Sequence, residues 1–185
     1  MNIRYVSSDK DQATNRALAN VAERARAEGI ELAGTVQSQI PGTAQAKCEI
    51  VLNLLPDGPT RSISLNLGPG VTGCRLDPGA LEEAVVIVQE RLAGAQGLIV
   101  NKFGKQEAAG RGLAQLIGQA LAEGKPVLVG VSPDWLDAFL AFADGAARPI
   151  NADADEVMAW LRTAVGLVAS DHYPAVRPCP HPDRT

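Results

Sequence analysis

The apolar run Leu98-Ile99-Val100 passes directly into Asn101-Lys102-Phe103-Gly104-Lys105-Gln106-Glu107, so a buried-looking segment ends in an amide and two lysines. Carboxylates at such a place would recruit an anion through a metal ion, whereas ammonium and amide groups bind it directly. The chemistry on offer is therefore anion binding more than activation of water. Ser7 and Ser8, with Lys10 close behind, supply a second set of donors where a helix is expected to begin. Backbone N–H groups at a helix start favour negative charge, and a tetrahedral dianion suits that field. Arg111 lies between Gly110 and Gly112, and Arg75 follows the glycine-bearing stretch 67–74. The Arg111 guanidinium could hold two oxygens of one anion at once, and the glycine-bearing loop that ends in Arg75 could cover the site. The candidate anion-binding set is thus Ser7, Ser8, Lys10, Arg75, Asn101, Lys102, Lys105 and Arg111.

Each candidate has a plainer role open to it. The lysines could be a solvated loop surface. Arg111 could pair with Glu107 four residues earlier on a helix. Asp9, Asp11 and Asp77 could act as general acids or bases, but each also suits a helix cap or first turn. Cys48 and Cys74 read as small packing residues, and His172, Cys179 and His181 have no spacing of a metal site. Trp135, Phe139 and Phe142 fall at helical spacing, which reads as core, with Trp135 near enough to a strand end to stack on a base. Without a nucleophile elbow or a Cys/His arrangement, no catalytic residue and no metal ligand is assigned.

The elements that must position these residues follow from apolar periodicity. Ile3 to Val6 reads as a strand, followed by a polar loop and a helix with Leu18, Val21, Ala22 and Ala25 on one stripe, closed by Gly29. Ile30 to Val36 reads as a second strand and Gln37 to Lys47 as a loop. Cys48 to Leu55 and Arg61 to Leu67 form a hairpin about Asp57-Gly58. Asp77-Pro78 opens a helix that runs to Leu92. Leu98 to Val100 is a strand, Leu113 to Leu121 a helix and Pro126 to Val131 another strand, the clearest βαβ unit in the chain. Ser132-Pro133 starts a helix through Phe142, and Asp153 with Glu156 starts the last, through Val168. Strands alternating with helices imply an α/β fold of three layers, with a largely parallel sheet, helices on both faces and the hairpin added at one side. The loops after Val6, Val100 and Val131 then share the rim where ligands bind in such sheets.

A chain of 185 residues with a formal net charge of -4 fits one domain, with no basic field for nucleic acid. We assign 1–170 to a single α/β domain and 171–185 to a Pro-rich, flexible tail. Three cysteines without CxxC spacing, no signal-like start and no membrane-length apolar run give a cytoplasmic expectation with reduced thiols and no membrane insertion. A homo-oligomer is left open.

Val100-Asn101-Lys102-Phe103-Gly104-Lys105-Gln106-Glu107, with the order of elements, resembles a small P-loop nucleoside-triphosphatase family whose equivalent strand ends in Asp-Glu. More closely, Cys48-Glu49, Gly73-Cys74-Arg75-Leu76-Asp77-Pro78 and Val100 to Lys105 resemble the bacterial family called domain of unknown function 2478, over roughly Ile3 to Phe142. That family is NTPase-like and often found beside molybdate-transport genes. Ser7 to Thr14 contains no Gly-x4-Gly-Lys-[Ser/Thr] pattern and no glycine to turn backbone N–H groups around a phosphate. The resemblance implies an NTPase-like fold with a degenerate P-loop, the residues themselves point to binding of a small oxyanion without hydrolysis of nucleotide, and molybdate or tungstate as that anion is implied by the resemblance alone. Two rivals stand beside it. One is a divergent nucleoside triphosphatase or nucleotide-binding protein that takes ATP or GTP with Mg²⁺ and uses Asp9, Asp11 or Glu107 as its acid. The other is a ligand-free regulatory interaction module.

Overall fold

The computed structural model describes residues 2–10, 12–37, 49–65 and 76–167. Strands β1 (Ile3–Ser7), β2 (Leu32–Gln37), β3 (Val51–Leu55), β4 (Thr60–Ser62), β5 (Gly97–Phe103), β6 (Val127–Val131) and β7 (Ala147–Pro149) form one sheet in the order β4-β3-β2-β5-β6-β1-β7. β2, β5, β6, β1 and β7 run parallel, while β3 and β4 add an antiparallel edge. Every residue of β6, Val-Leu-Val-Gly-Val, is buried, as a central parallel strand covered on both faces requires.

Helices α1 (Ala13–Ala27) and α6 (Ala154–Ala164) cover one face. Leu18, Val21, Ala25, Val157, Met158 and Leu161 pack there on Val6, Leu32, Ile99 and Leu128. Helices α2 (Pro78–Leu92), α4 (Ala114–Ala122) and α5 (Leu136–Phe142) cover the other, where Leu81, Val88, Ile117 and Phe139 meet Leu98, Val100, Val127 and Val129. Asp77 caps α2 by accepting from Gly79 N (2.9 Å) and Ala80 N (3.1 Å), and Asp153 caps α6 through Asp155 N and Glu156 N. Capping is thus the role of Asp77, as its position before Pro78 suggests.

From β1 the chain crosses by α1 to β2 on one side of the sheet, and later from β6 by α5 to β7 on the other side of β1. This reversal makes the carboxyl end of β1 a switch point, the place in an open α/β sheet where a crevice forms.

The three-layer arrangement is the one read from the sequence; several boundaries differ. β5 does not stop at Val100 but runs through Phe103, with a register shift against β6 between Asn101 and Phe103. Asn101 and Lys102 therefore belong to the strand and not to a loop, because Phe103 is itself buried and draws the chain onward between Phe139 and Phe142. A short helix α3 (Lys105–Ala108) follows. The strands of the hairpin are shorter than expected, Gln37 closes β2 instead of opening a loop, and α6 ends at Ala164 before Val168. β7 has no sequence signature: it has three residues, two of them exposed, too few for alternation to register. Loop 38–47, Cys48, the Arg75 loop and the tail with its histidines lie outside the described residues. No helix among the described residues is long and apolar enough to cross a membrane.

Candidate functional site

The loop from Ser7 to Thr14 joins β1 to α1 and spans the length of a Gly-x4-Gly-Lys-[Ser/Thr] phosphate loop. In that frame Ser7 takes the place of the first glycine, Gln12 of the second, Ala13 of the lysine, and Thr14 keeps the closing hydroxyl. Gln12 adopts φ 56°, the left-handed conformation that the second glycine would enter freely. Its side chain accepts from Asn15 Nδ2 (2.5 Å), and the same amide donates to Gln37 Oε1 at the end of β2 (2.9 Å). Asn15 thus ties the helix start to the rim of the sheet and holds a turn that has lost its glycines. α1 begins without a side-chain cap. A search for glycines passes over Thr14, Asn15 and Gln12; the signal that finds them is the loop length together with a threonine at its last position.

Beside this turn lies an open cleft of about 600 Å³. Tyr5, Ser7, Ser8, Lys10 and Ala13 form one wall, and the β7–α6 connection with Asn151, Asp153 and Glu156 forms the other. Ser8 Oγ accepts from Lys10 N at 3.2 Å. Glu156 is engaged by Asn151 Nδ2 at 2.7 Å. The cleft therefore carries one cationic and one acidic side, and its size is that of an organic ligand rather than a bare oxyanion.

Thr14, Asn15, Thr35 and Asn101 are four of the five buried polar or charged side chains among the described residues, and all lie at this rim. Asn101 pairs across β6 with Gly130, and Gly130 with Val6 of β1. Its side chain has the parity of Ile99, which points it at the face covered by α1. A methyl group on Gly130 would come to 3.0 Å from Thr14 Cγ2 and 3.2 Å from Asn101 Oδ1, so the bare glycine is what lets the helix turn and the amide share one niche. Asn101 is only 4% exposed, and among the described residues neither its Nδ2 nor its Oδ1 has a partner; Asn15 Oδ1 is buried and likewise unpartnered there. A buried polar group left unpaired costs on the order of 1–3 kcal/mol.

The structure places the other sequence candidates apart from this niche. Ser7, Ser8 and Lys10 line the cleft; Lys102, Lys105 and Arg111 are exposed and do not. The Glu107–Arg111 pair is not made. Arg111 Nε donates to Gln106 Oε1 at 2.8 Å, while Glu107 turns inward and accepts from Gly104 N (3.1 Å) and Leu113 N (3.3 Å). Burial pushes the Glu107 carboxyl above the usual glutamate range, and Glu82 adds to this, against the N–H bonds it accepts. Trp135 is half-buried against the core, next to the first turn of α5. Arg75 lies outside the described residues.

The fold raises the question of Mg²⁺, which takes hard, mostly anionic oxygens and nucleotide phosphates. At the end of β5 the chain offers a neutral amide and an ammonium, and the loop offers an alanine where the phosphate lysine would stand. No group of three or more His, Cys, Asp or Glu side chains that could hold a metal occurs among the described residues. The end of β5 therefore supplies no carboxylate for Mg²⁺.

Comparison with known proteins agrees with this architecture. The chain superposes on THEP1 from the hyperthermophile Aquifex aeolicus with a TM-score of 0.62, at 13% identity, covering 92% of this chain and 100% of that one. A human cancer-related nucleoside triphosphatase gives a TM-score of 0.60 at 14% identity, covering 94% of this chain and 100% of that one. The domain is a P-loop NTPase-like α/β fold. Within that class the chain belongs to the family described as "Protein of unknown function (DUF2478)", which it matches over residues 3–160. It is also 33% identical over 166 residues to the molybdenum import ATP-binding protein ModC 2 of Bradyrhizobium diazoefficiens. That match takes in 88% of this chain but 18% of the length of the relative.

Proposed function

We propose that this domain binds a small oxyanion at the β1–α1 turn without hydrolysing a nucleotide. The observation that carries the proposal is the end of β5, where the buried amide of Asn101 and the ammonium of Lys102 stand and no carboxylate is supplied for Mg²⁺. The start of α1 has no side-chain cap, and Ser7, Ser8 and Lys10 line the cleft on the β7 side of the same turn. Lys105 and Arg111, exposed beyond the end of β5, contribute longer-range positive charge. The ModC 2 relative, named for molybdenum import, makes molybdate and tungstate the first anions to test.

A nucleotide is the second reading. The cleft volume favours it, as does the acidic wall, since carboxylates accept from sugar hydroxyls or base amino groups but repel a bare anion. Calorimetric titration with molybdate, tungstate, phosphate, sulfate, ATP and GTP, with and without Mg²⁺, separates the two. Saturable binding of an oxyanion that is indifferent to Mg²⁺ and weakens roughly tenfold in Lys10→Ala supports the proposal. Tight ATP or GTP binding that requires Mg²⁺, or release of phosphate, overturns it.

A further inference from the structure

The orphaned atoms under α1 say more about the ligand than charge does. An amide has one donor group and one acceptor, whichever way it is turned, and among the described residues both ends of Asn101 lack a partner. Asn15 Oδ1, on the first turn of α1, is a further buried acceptor without a partner among the described residues. Buried acceptors need a proton from their partner, and a fully ionised oxyanion has none to give. We propose, building on oxyanion binding at this turn, that Asn101 is the specificity-determining residue and that it selects an oxyanion carrying a proton, the chemistry of monohydrogen phosphate. Asn101 Nδ2 donates to an unprotonated oxygen of the ligand, and Asn101 Oδ1 accepts from its hydroxyl. The amide takes over at β5 the contact that a carboxylate would make through Mg²⁺, so the site works without a metal. Thr14 and Asn101 both border Gly130, so a ligand held by the amide lies against the start of α1.

The orphaned amide is costly to the ligand-free fold, which separates a recognition residue from a structural one. Replacing an unpaired buried polar group by an apolar one of similar shape is neutral or stabilising. The experiment titrates wild type, Asn101→Leu and Asn101→Asp with inorganic phosphate, sulfate, molybdate and AMP at pH 7.5, with and without Mg²⁺, and records each ligand-free melting temperature. Inorganic phosphate keeps a proton at this pH, sulfate and molybdate have none, and a phosphate monoester, with a second pKa of about 6, is mostly ionised. Expected are phosphate binding by wild type at least tenfold tighter than any other probe, and a loss of at least tenfold in Asn101→Leu with a melting temperature equal to or above that of wild type. Asn101→Asp should lose metal-free phosphate binding and recover it with Mg²⁺. Equal affinity of wild type for phosphate and for sulfate, molybdate or AMP overturns the selection. Phosphate binding unchanged in both variants removes Asn101 from the site. Failure of wild type to bind any probe overturns oxyanion binding itself.

Discussion

Two buried polar side chains a few residues apart in β5 and α3 are treated in opposite ways by this fold. Glu107 and Asn101 are each 4% exposed. The carboxylate of Glu107 is partnered at both oxygens, by Gly104 N and Leu113 N, and so closes the turn from the end of β5 to the start of α4. Among the described residues the amide of Asn101 is partnered at neither end. A charged group that is buried and satisfied braces structure, whereas a neutral group that is buried and unsatisfied marks a place where the ligand-free molecule is incomplete. The contrast also separates the rival readings of the rim, because Glu107 is committed to bracing and is poorly placed to act as a hydrolytic acid.

The sharpest way to break this contrast is Glu107→Ala. It strands two backbone N–H groups and opens a small void, and we expect a loss of about 2–4 kcal/mol in urea unfolding. Anion affinity measured on the folded fraction should stay within threefold of wild type. A large fall in affinity with little loss of stability would reverse the roles assigned to the two residues.

A smaller effect is expected from pH. The pKa of Glu107 is raised in the folded state, chiefly by burial. Its contribution to stability is therefore full below the unfolded-state value and is lost as pH rises through the raised one. Glu107→Gln removes this titration. The urea midpoint of wild type relative to Glu107→Gln should fall steadily as pH is raised from acid to neutral. A difference independent of pH would show that the carboxyl binds its proton equally well in the folded and unfolded chains, so that burial does not raise its pKa.

How much of this could be read from the sequence differs between the two regions for a physical reason. The layers, the parallel core and the caps at Asp77 and Asp153 follow from apolar spacing and from local cap chemistry, both of which are visible within a few residues. The amide and lysines after Val100 also stand out, because charge following an apolar run is a local signal. That Asn101 lies inside the strand, facing α1, is not local; it depends on Phe103 being pulled into the core by Phe139 and Phe142. The inward turn of Glu107 depends on Gly112, where a methyl group would come to 2.4 Å from Glu107 Oε1. From spacing alone Glu107 looks like an ion-pair partner for Arg111. The niche that Thr14 and Asn101 share about Gly130 joins α1, β5 and β6, and no linear pattern announces it.

The smallest expected effect sharpens the contrast from the rim side. Thr35 is fully buried on β2, and its hydroxyl lies 3.4 Å from Asn101 N and 3.5 Å from Asn101 O. Hydrogen bonds at these lengths are weak, and they reach the backbone of Asn101, not its amide. Thr35→Val keeps the shape, removes the hydroxyl and should change stability by less than about 1 kcal/mol, with phosphate affinity within twofold of wild type. A loss as large as that of Glu107→Ala would mean that Thr35 holds β5 in place at Asn101. The rim would then be a braced structure like the turn after β5, and the unpaired amide would have to be explained by the strand's geometry instead of by a ligand.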